Sequence, residues 1–540
     1  MLSIKKVNIE NFKVFNGKFS LILNENLNIL VGNNEAGKST ILEAIHLALS
    51  GLLNGRYLRN ELSQYLFNNE IEKEYIFSLK TDKPLPPPSI LIEVFFNGKE
   101  LPLFEGNGNS DKEKGCGVSF KVEFDNEYKS NYDELIKTDV KTIPIEYYKI
   151  TWRSFARDGV TSQSIPIKSV IIDSTSTRFQ NGSDVYISRI IRNDLEEKEK
   201  VDISQAYRKL KEAFRIDKSI QAINEKVNAK ANISDKTVTI SVDLSTKDAW
   251  ETGLTTFLDE VPFHHIGKGE QCIVKTNLAL GNEKSKKAGL ILLEEPENHL
   301  SHTKLNEFVR SIKENCEGKQ IIISTHNSFV ANKLGLENLI LLHNQKVTKL
   351  SDLKSSTQDF FRKLPGYQTL RLLLCKKAIL VEGDSDELIV QKAYMEANDG
   401  KLPIEDGIDV ISVKLTFKRF LEIAQKISKP VAVVTDNDSN YKKKVKKKYK
   451  EFWDDEFIKI SASKEAEYAT LEPQFVYANR EQLEKLCEVI EIDSSKYNTV
   501  ELISSYMKKN KTKWALKVFN SDEALEYPLY IKNVIHWCNA

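Results

Sequence analysis

The stretch Gly32-Asn33-Asn34-Glu35-Ala36-Gly37-Lys38-Ser39 decides how this chain is read. It follows a short apolar run, Leu27 to Val31, that reads as a strand. It runs into Thr40-Ile41-Leu42-Glu43-Ala44-Ile45, which reads as an amphipathic helix. Strand, glycine-bounded loop and helix are what the G-x-x-x-x-G-K-[ST] pattern requires. Gly32 and Gly37 let the backbone curl so that N–H groups along Asn33 and Asn34 point at phosphate oxygens. The helix N-terminus at Lys38-Ser39-Thr40 adds partial positive charge. Lys38 is expected to reach the β- and γ-phosphates and Ser39 to ligand Mg²⁺. The loop predicts a nucleoside triphosphate site.

Working outward, the totals set bounds. A chain of 540 residues exceeds what one core usually supports, so two or more domains are expected. Lys+Arg (78) and Asp+Glu (77) nearly cancel, so only local patches can speak for nucleic acid. The cysteines at 116, 272, 316, 375, 487 and 538 lack C-x-x-C spacing and read as reduced thiols, not a disulfide frame or zinc site. The first residues alternate like a strand, with no signal peptide, and no apolar run has membrane-spanning length. The expectation is a cytoplasmic protein without a membrane partner.

Residues 51 to 180 are irregular, with period-two runs such as Ile90–Phe96 and Val118–Val122 that predict antiparallel strands. From 183 to 228 the text turns charged and helical, a solvated face or a dimerisation arm. Strand character resumes near 238–242. Gly289-Leu290-Ile291-Leu292-Leu293-Glu294-Glu295-Pro296 is an apolar strand ending in two acids. That strand is expected beside the phosphate loop, with Glu294 on the metal and Glu295 orienting and deprotonating the attacking water. Ile321-Ile322-Ile323-Ser324-Thr325-His326 is a further apolar strand, ending where a γ-phosphate sensor belongs. Gly267-Lys268-Gly269-Glu270-Gln271 is a Gly-rich turn entering a helix, a weak signal alone.

Together these residues resemble the ABC-type ATPase head of structural-maintenance-of-chromosomes and recombination-repair proteins, over roughly 1–50 and 260–345. The resemblance implies that Gly267 and Gly269 belong to a signature loop capping a nucleotide held by another subunit. It makes Glu297-Asn298-His299-Leu300 an interface loop and His326 the switch histidine. Glu294 stands where Asp is usual, and no long heptad coiled coil separates the two halves.

The segment from 376 to about 434 reads as strand, helix, strand, helix, strand, a fresh α/β unit. Ala378-Ile379-Leu380-Val381-Glu382-Gly383-Asp384-Ser385-Asp386 is a strand ending in an acid, with another acid opening a helix. Val431-Ala432-Val433-Val434-Thr435-Asp436-Asn437-Asp438 is a second buried strand ending in Asp-x-Asp. Adjacent parallel strands would bring Glu382, Asp386, Asp436 and Asp438 into one crevice. Four carboxylates without basic partners repel unless cations neutralise them, and hard oxygen ligands suit Mg²⁺ or Mn²⁺.

This second pattern resembles a Toprim domain. A Toprim domain after an ABC-type head is similar to the OLD (overcoming lysogenization defect) family, which includes Gabija-type and retron-associated defence nucleases. The resemblance implies an α/β architecture: an ABC-type P-loop ATPase domain with a helical dimerisation insertion, then a Rossmann-like Toprim nuclease domain. The expected bounds are 1–182 and 229–350 for the ATPase parts, 183–228 for the insertion, 351–375 for a linker and 376–540 for the Toprim domain with a helical tail. It implies that Glu382, Asp386 and Asp436 hold one ion, with Asp438 and Glu472 helping to hold another. Lys511 would be the catalytic lysine, with Lys513 as the alternative. The run Lys442, Lys443, Lys444, Lys446, Lys447 and Lys448 is placed to hold DNA backbone without reading sequence.

The implied function is an ATP-regulated, Mg²⁺- or Mn²⁺-dependent DNA endonuclease of antiphage defence. Its partners would be double-stranded DNA and at least a second copy of the chain. A defence-system protein or a retron RNA–DNA element is a further expected class of partner. The alternatives are a repair ATPase/nuclease of recombination-repair type and a nucleotide-sensing scaffold with an inert Toprim unit. A topoisomerase or primase fits less well, because no module with a nucleophilic tyrosine is evident.

Overall fold

The computed structural model describes residues 2–98, 101–173, 179–180, 183–184, 195–230, 240, 256–281, 289–298, 300–315, 318–343, 345–350 and 353–540. His299, Cys316, most of the 238–242 run and much of 183–194 therefore lie outside the described residues. The described residues fall into two compact units, Met1–Leu30 with Asn34–Thr325, and Val31–Asn33 with His326–Ala540.

The first unit is built on two large sheets, with three two-stranded ribbons beside them among the described residues. Strands β1 (Ser3–Glu10), β2 (Lys18–Ile22) and β3 (Leu27–Gly32) lead into helix α1 (Lys38–Ser50). Strands β4 (Ile90–Asn97), β5 (Gly115–Phe124) and β6 (Tyr148–Ser154) complete an antiparallel sheet, each alternating side chains between two faces. Strand β7 (Lys168–Asp173) opens the parallel sheet. Helices α2 (Glu197–Ile216) and α3 (Lys218–Lys230) follow, then α4 (Lys268–Gly281), β8 (Gly289–Glu294), α5 (His302–Asn315) and β9 (Lys319–Ser324). The four parallel strands run in the order β7-β8-β9-β3. The side chains of β8, β9 and β3 are buried almost throughout, which is why these three read as continuous apolar runs without alternation.

This order corrects one expectation. The acidic strand β8 is not the immediate neighbour of the phosphate-loop strand β3, because β9 lies between them. A buried parallel strand pairs equally well on either edge, so apolar runs in sequence cannot rank three such strands.

In the second unit a short helix, Ser328–Leu334, precedes an antiparallel hairpin, β10 (Leu339–His343) and β11 (Lys346–Lys349). The stretch expected as a linker carries two helices, α6 (Ser355–Lys363) and α7 (Thr369–Leu374). Asn332 ties α7 in place, donating to the carbonyl of Tyr367 at 2.7 Å and accepting from Thr369 at 2.7 Å.

Then come β12 (Lys377–Val381), α8 (Asp384–Ala397), β13 (Ile408–Ser412), α9 (Phe417–Lys426), β14 (Val431–Val434) and β15 (Ile458–Ser461). The alternation read from sequence is present element for element. Strand order is β13-β12-β14-β15, all parallel, with β12 and β14 direct neighbours. Ala378 to Val381 are fully buried, each larger side chain contributing on the order of 1.5–3 kcal/mol. Helices α10 (Leu471–Ala478), α11 (Val500–Lys509), α12 (Lys511–Asn520) and α13 (Leu529–Asn539) cover this sheet, sharing a core built on Phe475, Trp514 and Ile531. The described cysteines, 116, 272, 375, 487 and 538, are free thiols. Among the described residues no helix is long and apolar enough to cross a membrane.

Candidate functional site

In the first unit the loop before α1 is shaped by Gly37, whose φ of +92° is one that side chains with a Cβ rarely adopt. A Cβ there would stand 2.6 Å from the Phe15 ring, so glycine is required on both counts. Lys38 is buried at the start of α1. Burial lowers its pKa, and the negative charges of Glu295, Glu294 and Glu297 raise it, so three acids face this one cation. The Ser39 hydroxyl donates to the Glu294 carboxylate. Loop hydroxyl and acid thus meet despite the intervening strand, because Glu294 on β8, Ser324 on β9 and Leu30 on β3 are level in register, just before β3 enters the loop.

Glu295 occupies the left-handed region at φ +43°, unusual for a residue with a Cβ. Its N–H donates to the Ser324 carbonyl at 3.1 Å, which holds the strained turn closed. Strain of this kind is retained where position matters more than stability. Burial raises its pKa, opposed by Lys38 and a hydrogen bond from Asn298. That is the direction a general base needs, since a less acidic carboxyl accepts a proton more readily.

The turn Gly267–Gln271 is built from within. Gln271 is buried and its Nε2 donates to the carbonyls of Phe263 (3.0 Å) and Ile266 (2.8 Å), while a Cβ on Gly267 would meet only open space. His326 lies two residues past β9, as expected from sequence.

The second unit gathers its own acids. Glu382 follows the end of β12, Asp386 lies in the first turn of α8, Asp436 and Asp438 follow β14, and Glu472 opens α10. Asp386 accepts from the Gly383 N–H at 3.1 Å, and Glu472 from the Thr470 hydroxyl at 2.7 Å. Asn437, between the two aspartates, is fully buried and turned into the protein. Its Nδ2 donates to the carbonyls of Ser463 (3.0 Å) and Glu465 (2.7 Å), and its Oδ1 accepts from the Ser439 N–H at 2.8 Å. Asp438, at φ +44°, is held by its N–H to the Ala469 carbonyl at 3.2 Å. Replacing Asn437 with Ala is expected to cost about 2–3 kcal/mol, because it strips buried carbonyls of their donor. A urea midpoint unchanged by the substitution would contradict this role.

The acids lie within electrostatic range of one another. Asp436 is pushed up to about 8, first by burial, then by Asp386, Glu382, Glu472 and Asp438. Asp386 is pushed up to about 7, first by burial, then by Glu382. Glu382 is raised by burial and by Asp438, and pulled down by Lys448 and Lys511. The expectation of acids without basic partners is therefore corrected: Lys448 and Lys511 act on Glu382, and Lys444 pairs with Asp438 at 3.0 Å. Lys511 begins α12, which packs on α8 and so brings it to the acids.

Within the described residues no three His, Cys, Asp or Glu side chains are drawn tightly enough together to hold an ion. The donor set nonetheless fits a hard divalent cation. One oxygen of Asp436, Oδ1, is buried without a hydrogen-bond partner among the described residues, amid carboxylates that disfavour its charge.

The sign of the pH dependence follows. Between the ordinary Asp value of 3.8 and about 8 the folded chain binds more protons than the unfolded one, so these acids weaken the fold as pH rises through that window. A cation neutralising them removes the penalty. Mg²⁺ is therefore expected to raise Tm more at about pH 8.5 than at about pH 6. Equal shifts in a calorimetric scan would place the ion elsewhere.

The lysine run forms a helical turn, Lys442–Lys447, anchored by buried Val445. Lys442, Lys443, Lys444, Lys446 and Lys447 are exposed, whereas Lys448 is half-buried and faces Glu382 and Asp438. Charge pattern alone could not separate Lys448 from its neighbours. Sequence reading also missed Tyr530 on α13, whose buried side chain lies within electrostatic range of Asp436, Asp386 and Glu472. Nothing local marks it, since it sits almost a hundred residues from Asp436 in an ordinary apolar helix pattern.

A phosphate-loop site in one unit and an acidic parallel-sheet crevice in the other define the class, an ATPase joined to a Toprim domain. Comparison with known proteins agrees. Residues 27–332, more than half the chain, match the family model "AAA domain, putative AbiEii toxin, Type IV TA system", and the chain belongs to that family. Residues 373–438 match the TOPRIM domain of overcoming lysogenization defect protein-like sequences, which makes this an OLD-family ATPase–Toprim protein.

Among curated relatives, the DNA replication and repair protein RecF of Clostridium botulinum is 34% identical over 97 residues. That segment covers 18% of this chain and 25% of RecF, so the likeness spans a quarter of that relative's length. Among solved structures, the C-terminal region of the Burkholderia pseudomallei OLD protein aligns at TM-score 0.24 and 19% identity, covering 31% of this chain and 98% of that one. The Smc head domain from Pyrococcus furiosus, crystallised with the C-terminal domain of ScpA, aligns at TM-score 0.33 and 15% identity, over 67% of this chain and all of that one.

Proposed function

We propose that this chain is an ATP-regulated, divalent-metal-dependent DNA endonuclease that acts in antiphage defence. The observation that carries the reading is Asp436, which follows the parallel strand β14 and is buried among four other acids, one of its oxygens unpartnered among the described residues. Bound divalent ions would supply Lewis-acid polarisation of a phosphodiester and a water acidic enough to ionise near neutral pH. Glu382, Asp386 and Asp436 would hold one ion, with Asp438 and Glu472 helping to hold a second. Lys511, which acts electrostatically on Glu382, would stabilise charge developing on the phosphate.

The phosphate loop would bind ATP as a control signal, with Glu295 as its general base and His326 as its sensor. A second copy would supply the signature loop around Gly267 and Gly269. The exposed apolar side chains of α2 and α3, Val201, Leu210, Phe214, Ile216 and Ile223, support a homodimer or larger homo-oligomer. A recombination-repair role is the second reading, favoured by the RecF-like segment.

Plasmid DNA incubated with Mg²⁺ or Mn²⁺, with and without ATP, tests the proposal. Nicked or linear product that a chelator abolishes is expected. Absence of metal-dependent cleavage in every condition would refute it, and relaxed, religated topoisomers would point to a topoisomerase.

The exposed lysines would hold the DNA backbone. Changing Lys442, Lys443, Lys446 and Lys447 to Gln is expected to weaken duplex binding and to flatten its salt dependence by roughly 0.9 in log–log slope per lost phosphate contact. Unchanged affinity at low salt would remove these residues from the interface.

A further inference from the structure

The second unit holds a cavity of about 910 Å³ that the nuclease reading leaves unused, bounded by β15, the loop after it, α10 and α13. Its lining includes Tyr468, Tyr477, Arg480, Lys464, Gln474 and Tyr530. The Tyr468 and Tyr477 rings stack with centroids 4.4 Å apart and planes 26° apart. The Arg480 guanidinium lies over Tyr477, 4.5 Å from its centroid. One wall is thus a flat aromatic stack with a cation at its end.

Two polar side-chain atoms of the lining residues have no hydrogen-bond partner among the described residues. Gln474 is 5% exposed; its Nε2 donates to the Tyr468 carbonyl at 2.8 Å, while its Oε1 is buried without a hydrogen-bond partner among the described residues. Tyr530 is also 5% exposed, and its hydroxyl is likewise buried and unpartnered. A buried polar atom is costly to leave without a partner unless something else satisfies it. Aromatic planes, cationic side chains and unsatisfied hydrogen-bonding atoms in a cavity of ligand size are together the chemistry of nucleotide recognition. An apolar ligand would leave Gln474 unsatisfied, and a bare phosphate would leave the stack unused.

We propose that this cavity binds one unpaired nucleotide, its base laid against the Tyr468–Tyr477 stack, a base amino group donating to Gln474 Oε1 and its phosphate facing Arg480 and Lys464. Tyr530 lines the cavity and also lies within electrostatic range of Asp436, Asp386 and Glu472. The seat is therefore next to the crevice where cleavage is proposed, a placement that rests on the nuclease reading, while nucleotide binding itself does not. The nucleotide comes either from an unpaired strand or from a free nucleoside phosphate.

The test uses the full-length chain in EDTA and a single-stranded 12-nucleotide DNA carrying one internal 2-aminopurine, whose fluorescence falls on stacking. Wild type is expected to quench the probe at least about twofold. Tyr468→Ala should lose the quench and weaken binding roughly tenfold, within the range of one lost base–aromatic stack, while Tyr468→Phe keeps both. The exposed Arg480→Ala, which leaves the core untouched, should weaken binding several-fold. Quenching and affinity that are the same in Tyr468→Ala and Arg480→Ala as in wild type would overturn the proposal. So would the absence of quenching in wild type by both the oligonucleotide and 2-aminopurine deoxyribonucleoside monophosphate. Quenching of the monophosphate with the same Tyr468 dependence assigns a free nucleotide, and quenching confined to the oligonucleotide assigns a strand. A Glu382→Ala chain is expected to keep the quench, so failure of the pocket and failure of the nuclease are scored separately.

Discussion

Glu382→Gln is expected to lower plasmid cleavage at least about 1,000-fold, which corresponds to roughly 4 kcal/mol of barrier. Glu382 is partly buried at the end of the central strand β12, and its charge acts on both Asp386 and Asp436. Removing that charge deletes a ligand from the proposed ion site while relieving repulsion among the remaining acids. The same substitution should therefore leave the Tm of the metal-free chain unchanged or higher. Calorimetric titration with Mn²⁺ should lose most of its heat. This combination separates a functional loss from a folding defect. Cleavage within tenfold of wild type, at unaltered Mn²⁺ affinity, would remove Glu382 from the site.

Glu295→Gln should slow ATP turnover at least about 100-fold while leaving ATP binding within a few-fold of wild type. The carboxyl that burial pushes up is lost, but the amide keeps the shape of the turn held by Ser324. Phosphate release read by a coupled assay, alongside binding of a fluorescent ATP analogue, separates the two effects. Lys38→Ala is the contrast, since it removes the buried cation that three acids surround and should abolish binding itself. If Glu295→Gln turns over ATP at the wild-type rate, the base lies elsewhere. Cleavage measured with ATP in the Glu295→Gln chain then tells whether bound or hydrolysed nucleotide controls the nuclease.

Local chemistry made much of this legible in the sequence. The phosphate loop announces itself because Gly32, Gly37, Lys38 and Ser39 each have a separate physical duty within eight consecutive positions. The two acidic strand ends of the Toprim unit do so as a pair, because parallel strands that both stop at carboxylates bring those acids into one crevice. The alternation of strand and helix from 377 to 434 was readable for the same reason, as each element carries its own period. Strand rank was not readable: β9 inserts between β3 and β8, and buried parallel strands look alike from any neighbour.

Side-chain company was equally hidden. Lys448 looks like the lysines beside it until Val445 anchors their helical turn and turns it toward Glu382. Asn437 looks like a spacer in Asp-x-Asp until its hydrogen bonds to Ser463 and Glu465 reveal the staple. By itself, then, the sequence determined which residue types do chemistry and on which element ends they stand, because phosphate loops and acidic strand termini are encoded within about ten consecutive residues. Only the tertiary structure decided which of them meet, how burial shifts Asp386 and Asp436, and that Tyr468, Tyr477 and Tyr530 close a cavity beside them. Those outcomes depend on packing between segments tens of residues apart, and no local pattern carries that information.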